Sequence, residues 1–233
     1  MIDYRRMLKE NTEPEYAAFS SKLIPGKEGI IGVRIPVIRN IARSIVKDDW
    51  EAFLQDTPEN FEEEMLRGLV IATAPMDTDR RIMLTESHLD IIDNWSACDS
   101  FCTSWKVPKK DSARIYDYFS ALMDSGTEYR MRVSLIMRMD HFLDGDHVDD
   151  ILDDIVSYRH EGYYYKMGAA WAISFCYIKF PKVTEERLKD PKMDDWVCNK
   201  SIQKIRESYR VSDVCKERLR RLRRTHGNRT FVQ

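Results

Sequence analysis

The feature that most narrows what this chain can fold into is a repeated spacing of apolar residues. Ile38, Ile41, Ala42, Ile45 and Val46 recur at i, i+3, i+4, i+7 and i+8, the spacing that gathers side chains on one face of an α-helix. Pro36 stands just ahead of them, where a fixed φ and a missing N–H suit a first helical turn. Val148, Ile151, Leu152, Ile155 and Val156 repeat the pattern, and weaker versions run through residues 66–73, 115–122 and 202–209. Strand-like alternation and Asn-Gly hairpin signals are essentially missing. The chain is therefore predicted to be all-α.

Breakers cut it into short pieces: Pro25-Gly26, Gly29, Gly32, Pro36, Pro58, Pro75, Pro108, Gly126, Gly145, Gly162, Pro181 and Pro191. About a dozen helices are expected from this spacing. Short helices joined by tight turns stack as antiparallel pairs, giving either an irregular bundle or a HEAT-type solenoid of roughly 40 residues per pair. With no obvious self-similarity in the sequence, periodicity fits both. Two segments, Met131 to Met139 and Met167 to Ile178, are apolar around nearly the whole helix circumference and should be central. Arg132 and Trp171 sit inside them. A charge in such a helix needs a partner or a cleft, so these two positions are the first site candidates.

With 233 residues, 43% hydrophobic and 33% charged, one compact domain can bury roughly 70% of its unfolded surface without disulfides or a metal. The five cysteines are scattered, odd in number and without a C-x-x-C pair, which predicts reduced thiols, with Cys98 and Cys102 buried on a helix. The five histidines lack metal-ligand spacing and residues 140–154 do not form an EF-hand loop, so no metal or other cofactor is expected. Apolar runs such as 68–74 and 167–175 fall short of a membrane span. The charged residues 1–10 contain no signal core, and the expected compartment is cytoplasmic. A net charge of −2 hides an asymmetry: residues 216–224, KERLRRLRR, carry six basic and one acidic side chain, against 30 and 38 in residues 1–215. Any case for nucleic-acid binding must come from local patches.

Five segments taken in order carry a resemblance. They are Gly32-Val33-Arg34-Ile35-Pro36 with Ile38-Arg39, Asn94-Trp95-Ser96-Ala97-Cys98-Asp99, Tyr129-Arg130-Met131-Arg132, Tyr163 to Trp171, and Asn199 to Val211. In these the chain, from about Gly29 to Arg224, resembles the AlkD-like DNA alkylation-repair glycosylases. The resemblance implies an α-α superhelix of HEAT-like repeats that holds duplex DNA in a concave groove and removes cationic N3- or N7-alkylated purines without drawing the base into a protein pocket. That differs from glycosylases that extrude the target nucleotide. It also implies roles: Asp99 as the catalytic carboxylate, Trp95 and Trp171 packed on the sugar-phosphate backbone beside the lesion, and Arg132 on a phosphate. Trp95 and Asp99 form the W-x-x-x-D pattern and would share one helix face.

The chemistry suits a carboxylate there. An alkylated purine is already cationic and a good leaving group, so the remaining barrier is positive charge growing on the deoxyribose. At about 4 Å and an effective dielectric near 20, one opposed charge pair is worth roughly 4 kcal/mol, on the order of a thousandfold in rate. Such a carboxylate can also orient the attacking water. From spacing alone, Lys200 and Lys204, four apart, and Arg39, Arg43 and Lys47 at i, i+4, i+8 are further phosphate candidates. Tyr163 to Tyr165 form an aromatic triplet of which one or two would line the groove, with Tyr163 the choice for DNA, and at least one would face the core.

Each residue also has a plain structural reading. Asp99 would cap or pair near a helix start, the tryptophans would be core, and Arg132 would form a buried ion pair. Arg39, Arg43 and Lys47 would be a solvated face, and KERLRRLRR an exposed terminal helix with Leu219 and Leu222 packed. The chain departs from the family where Ala172-Ile173-Ser174-Phe175 follows Trp171 and in its acidic body. The expectation is one repeat domain over residues 1–225 with a tail at 226–233, monomeric, without cofactor, acting on double-stranded DNA that contains alkylated purines. A catalytically inactive DNA-binding paralogue and a HEAT-type protein scaffold are the alternatives.

Overall fold

The computed structural model describes residues 2–224; the expected tail at 226–233 lies outside them. Fourteen α-helices, two short 3-10 segments and no strand occur among the described residues. The fold is all-α, as the periodicity predicts. Contacts divide the chain into two compact units, residues 1–115 and 116–233.

The first unit holds α1 (Tyr4–Glu10), α2 (Pro14–Leu23), α3 (Ile35–Lys47), α4 (Trp50–Phe53), α5 (Phe61–Thr73), α6 (Thr78–Leu89) and α7 (Trp95–Ser104). Its backbone is a row in which α3 packs on α5 and α5 on α7. Ile38, Ile41, Ala42 and Ile45 form the buried face of α3, which is the predicted stripe.

Three consecutive glutamates open α5, where acidic side chains suit the positive end of the helix dipole, and each holds a different piece of chain. Glu62, 1% exposed, accepts from the backbone N–H groups of Ile31, Gly32 and Val33 at 3.0, 2.8 and 3.1 Å. Glu63 pairs with Arg5 of α1 at 3.2 Å, and Glu64 with Lys27 at 2.5 Å. The loop into α3 is thereby fixed. Gly32 has φ +86°, and a Cβ there would stand 2.3 Å from the Glu13 carbonyl, so only glycine fits. At the other end, buried Arg81 donates to the carbonyls of Ile71 and Ala74, both at 2.7 Å, and satisfies groups that a helix C-terminus leaves open.

The second unit follows the same plan. Its helices are α9 (Glu128–His141), α10 (Val148–Ser157), α11 (Tyr163–Lys179), α12 (Pro181–Lys189), α13 (Asp195–Glu207) and α14 (Asp213–Arg220), while α8 (Ser112–Ala121) spans the division. Helix α9 packs on α11 and α11 on α13, with α10 and α12 covering them. Every residue from Met131 to Met139 is buried, so the all-round apolar segment is central. Glu128 at the start of α9 accepts from the N–H of Tyr164 at 2.5 Å at the start of α11, so these two helices begin together and run the same way. Such rows of like-directed helices, each backed by a second layer, are the local signature of an α-α superhelical repeat. Cys98, Cys102, Cys176 and Cys198 are buried and reduced, and Cys215 is half-exposed and reduced.

Candidate nucleic-acid interface

In the first unit, the Asn94 side chain caps α7 by accepting from the Ala97 N–H at 2.9 Å. The cap sets the phase of the helix, with Trp95 in its first turn and Asp99 one turn on, both half-buried. Neither is core. The Trp95 indole N–H donates to the Leu23 carbonyl at the end of α2, 3.0 Å away, which fixes the orientation of the half-buried ring. Beside it Lys27 bridges Asp93 at 3.0 Å and Glu64, which steadies the turn that enters α7.

Arg39 of α3 reaches the far end of the same helix, donating to Ser104 at 2.7 Å and Thr103 at 3.4 Å. Thr103 in turn donates to the Asp99 carbonyl at 2.9 Å. Arg39 is therefore more than a solvated cation, while Arg43 and Lys47 are exposed. Arg39 and Arg43 line a shallow pocket with Ala42, Leu69, Thr73 and Ser104. Lys106, which the sequence reading passed over, joins them: its ammonium donates to the Thr73 carbonyl at 2.7 Å. The only signal for it is its place just past α7.

In the second unit, Arg132 lies in the predicted apolar helix, 5% exposed, and donates to the Tyr164 carbonyl at 2.5 Å. Gly168 makes room for it, since a Cβ there would stand 3.3 Å from its Cγ and Nη1. One turn further along α11, half-buried Trp171 lines a pocket with Ser174, Phe175, Lys204, Glu207 and Arg210. Its ring meets Phe175 edge-on at 5.9 Å, and the Arg210 guanidinium lies 5.7 Å from the Phe175 ring. Arg210 is the second residue missed; it closes the Asn199 to Val211 segment.

The electrostatics of this pocket bear on function. The Lys204 ammonium is held below the usual lysine range by burial first, then by the positive charges of Lys200 and Arg132, with Glu207 opposing. Two further cations therefore lie within electrostatic reach of a part-buried ammonium, and an incoming anion would favour its charged form. Lys200 is half-buried and donates to Gln203 at 3.1 Å. The structure thus brings Arg132, Lys200, Lys204 and Trp171 together.

Tyr163 is placed elsewhere. It stands at the start of α11, about 12 Å from Trp171 by helical rise, exposed and edge-on to Trp196 at 5.9 Å and Tyr164 at 5.3 Å. Tyr165 is the core member of the triplet, 2% exposed. A family model described as DNA alkylation repair enzyme matches residues 4–205. No curated protein matches the chain.

Proposed function

The chain belongs to the DNA alkylation repair enzyme family, and from that footing we propose that it is a glycosylase for cationic alkylpurines in duplex DNA. Asp99 is the carboxylate that stabilises positive charge on the deoxyribose and orients water as the glycosidic bond breaks. Trp95 and Trp171 offer aromatic faces to the sugar-phosphate backbone and its growing cation. Lys200 and Lys204 take phosphates, and Arg132 adds positive potential from beneath them. The observation that carries this reading is the gathering of Lys204 and Trp171 in one pocket, with Lys200 and Arg132 within electrostatic reach of Lys204. In the first unit, the half-buried Trp95 and Asp99 pair on one face of a capped helix also supports it. Phosphate contacts of this kind give affinity without sequence preference.

The test is release of 7-methylguanine and 3-methyladenine from methylated duplex DNA by the natural protein and by Asp99→Asn, which removes charge while nearly keeping shape. Loss of one charge pair predicts a fall on the order of a thousandfold in rate, with duplex affinity kept. Release no faster than the spontaneous rate at high protein concentration would overturn the proposal for these lesions. The same cation cluster, without excision, would then support the reading as a non-catalytic DNA-binding member of the family.

A further inference from the structure

The basic segment at residues 216–224 lies beyond the family match, which ends at 205. It is nonetheless built into the second unit. Arg224 anchors it: one guanidinium nitrogen donates to the Met193 carbonyl at 2.5 Å and Asp195 at 2.9 Å, the other to the carbonyls of Leu188 at 3.1 Å and Asp190 at 2.5 Å. Its backbone is clasped as well, with the Arg224 N–H donating to Asn199 Oδ1 at 2.8 Å and Asn199 Nδ2 donating back to the Arg224 carbonyl at 2.9 Å. Leu219 is fully buried and Leu222 half-buried. A run of like charges normally repels itself into disorder; this one is fixed as a ridge.

The cations on the ridge are unequally matched. Arg218 pairs with Glu185 at 2.9 Å and Arg220 with Glu217 at 3.1 Å. Arg221 and Arg223 are exposed, and their side chains form no ion pair or hydrogen bond among the described residues. Arg206 of α13 has only a distant carboxylate, Glu217 at 3.9 Å, and its buried Nε has no hydrogen-bond partner among the described residues.

Arg206 and Arg223 line one pocket together with Gln203 and Glu207. Glu207 also lines the pocket of Trp171, Lys204 and Arg210. The two pockets therefore share a wall, and Glu207 is itself engaged by Gln203 at 2.8 Å. Lys204 and Arg210 line the pocket on one side of Glu207 and Arg206 and Arg223 the pocket on the other, while exposed Arg221 stands two residues from Arg223 on the same ridge.

We propose that Arg206, Arg221 and Arg223 form a second phosphate-contacting surface, which continues the grip on the duplex backbone past the Trp171 pocket. This rests on the reading of that pocket as DNA-facing. Guanidinium groups suit the role, since they bind phosphate oxygens in a planar, bidentate way and stay charged at all working pH values. These residues supply affinity and touch no reacting atom.

The experiment uses the full chain and undamaged duplex DNA, so it does not depend on excision. Affinity is measured as a function of salt for the natural protein, for the triple variant Arg206→Gln, Arg221→Gln, Arg223→Gln, and for Lys200→Gln with Lys204→Gln. Each lost phosphate contact lowers the slope of log affinity against log salt by about 0.9, so the triple variant should lose roughly 2 to 3 units of slope. Arg221→Lys with Arg223→Lys should keep most of it. A triple variant with the natural slope would overturn the ridge proposal, and loss of slope in Lys200→Gln with Lys204→Gln would then leave the Trp171 pocket standing. Absence of salt-dependent binding by the natural protein would overturn both.

Discussion

His88 of α6 offers a test of how tightly the first unit is packed. Its ring is 1% exposed, lies 5.1 Å from the Phe101 ring, and neither nitrogen has a hydrogen-bond partner among the described residues. Gly68 of α5 sits against it so closely that a Cβ there would stand 2.5 Å from Nε2. Burial first, and the nearby Arg67 charge second, push the imidazole down from 6.5 to about 3. The native state therefore holds His88 neutral, while the unfolded chain takes up a proton below the ordinary value. Stability present above pH 6.5 is thus lost as the pH falls toward about 3. The slope is about 1.4 kcal/mol per pH unit, so the loss attributable to His88 at about pH 4.5 is about 3 kcal/mol.

Replacing His88 with Leu removes the titration and the two unsatisfied nitrogens, so it should be neutral or stabilising at about pH 7. Urea unfolding, followed by circular dichroism and tryptophan fluorescence, measures both proteins at about pH 7 and about pH 4.5. The carboxylates that also destabilise the protein in acid are common to both and cancel in the difference. The variant should retain about 3 kcal/mol more than the natural protein across that interval. Parallel losses, with a difference below about 1 kcal/mol, would show that the imidazole reaches water or a partner before global unfolding and would refute the reasoning.

Two further outcomes follow from the same geometry. Glu62→Gln keeps a carbonyl acceptor for part of the Ile31–Val33 clasp but turns an amide N–H toward a backbone N–H, so it should cost about 1.5–3 kcal/mol, read by the same urea assay. It should also loosen the Lys27–Arg34 loop to hydrogen exchange, and an unchanged midpoint would contradict the role given to Glu62. For Lys204, the depressed ammonium implies that its charge is lost at lower pH than that of an ordinary lysine, and with it a phosphate contact. Duplex affinity should fall with rising pH before ordinary lysines titrate in the natural protein, and less in Lys204→Arg, which stays charged; equal falls would argue against Lys204 as the contact.

What the sequence determined by itself is the helical architecture, because amphipathic spacing and capping act over three or four residues and are written locally. The stripe of α3, the stripe of α10 and the buried length of α9 all follow from residue spacing. So do the shared helix of Trp95 and Asp99 and the buried cysteines of α7. What only the tertiary structure decided is how distant side chains divide their charge. Glu62 reads as a solvated first-turn acid, yet it is buried because the N–H groups of a loop thirty residues earlier converge on it. Lys204 reads as one cation among many, and its neighbourhood exists only because α9, α11 and α13 lie side by side. Tyr163 and Trp171 share a helix and a resemblance but are separated along its axis, while Arg223, far off in sequence, comes to Arg206. Periodicity says which face of a helix is apolar. It does not say which other helix covers that face, and the pairing of helices sets where a buried charge finds its partner and where positive charge is left for DNA.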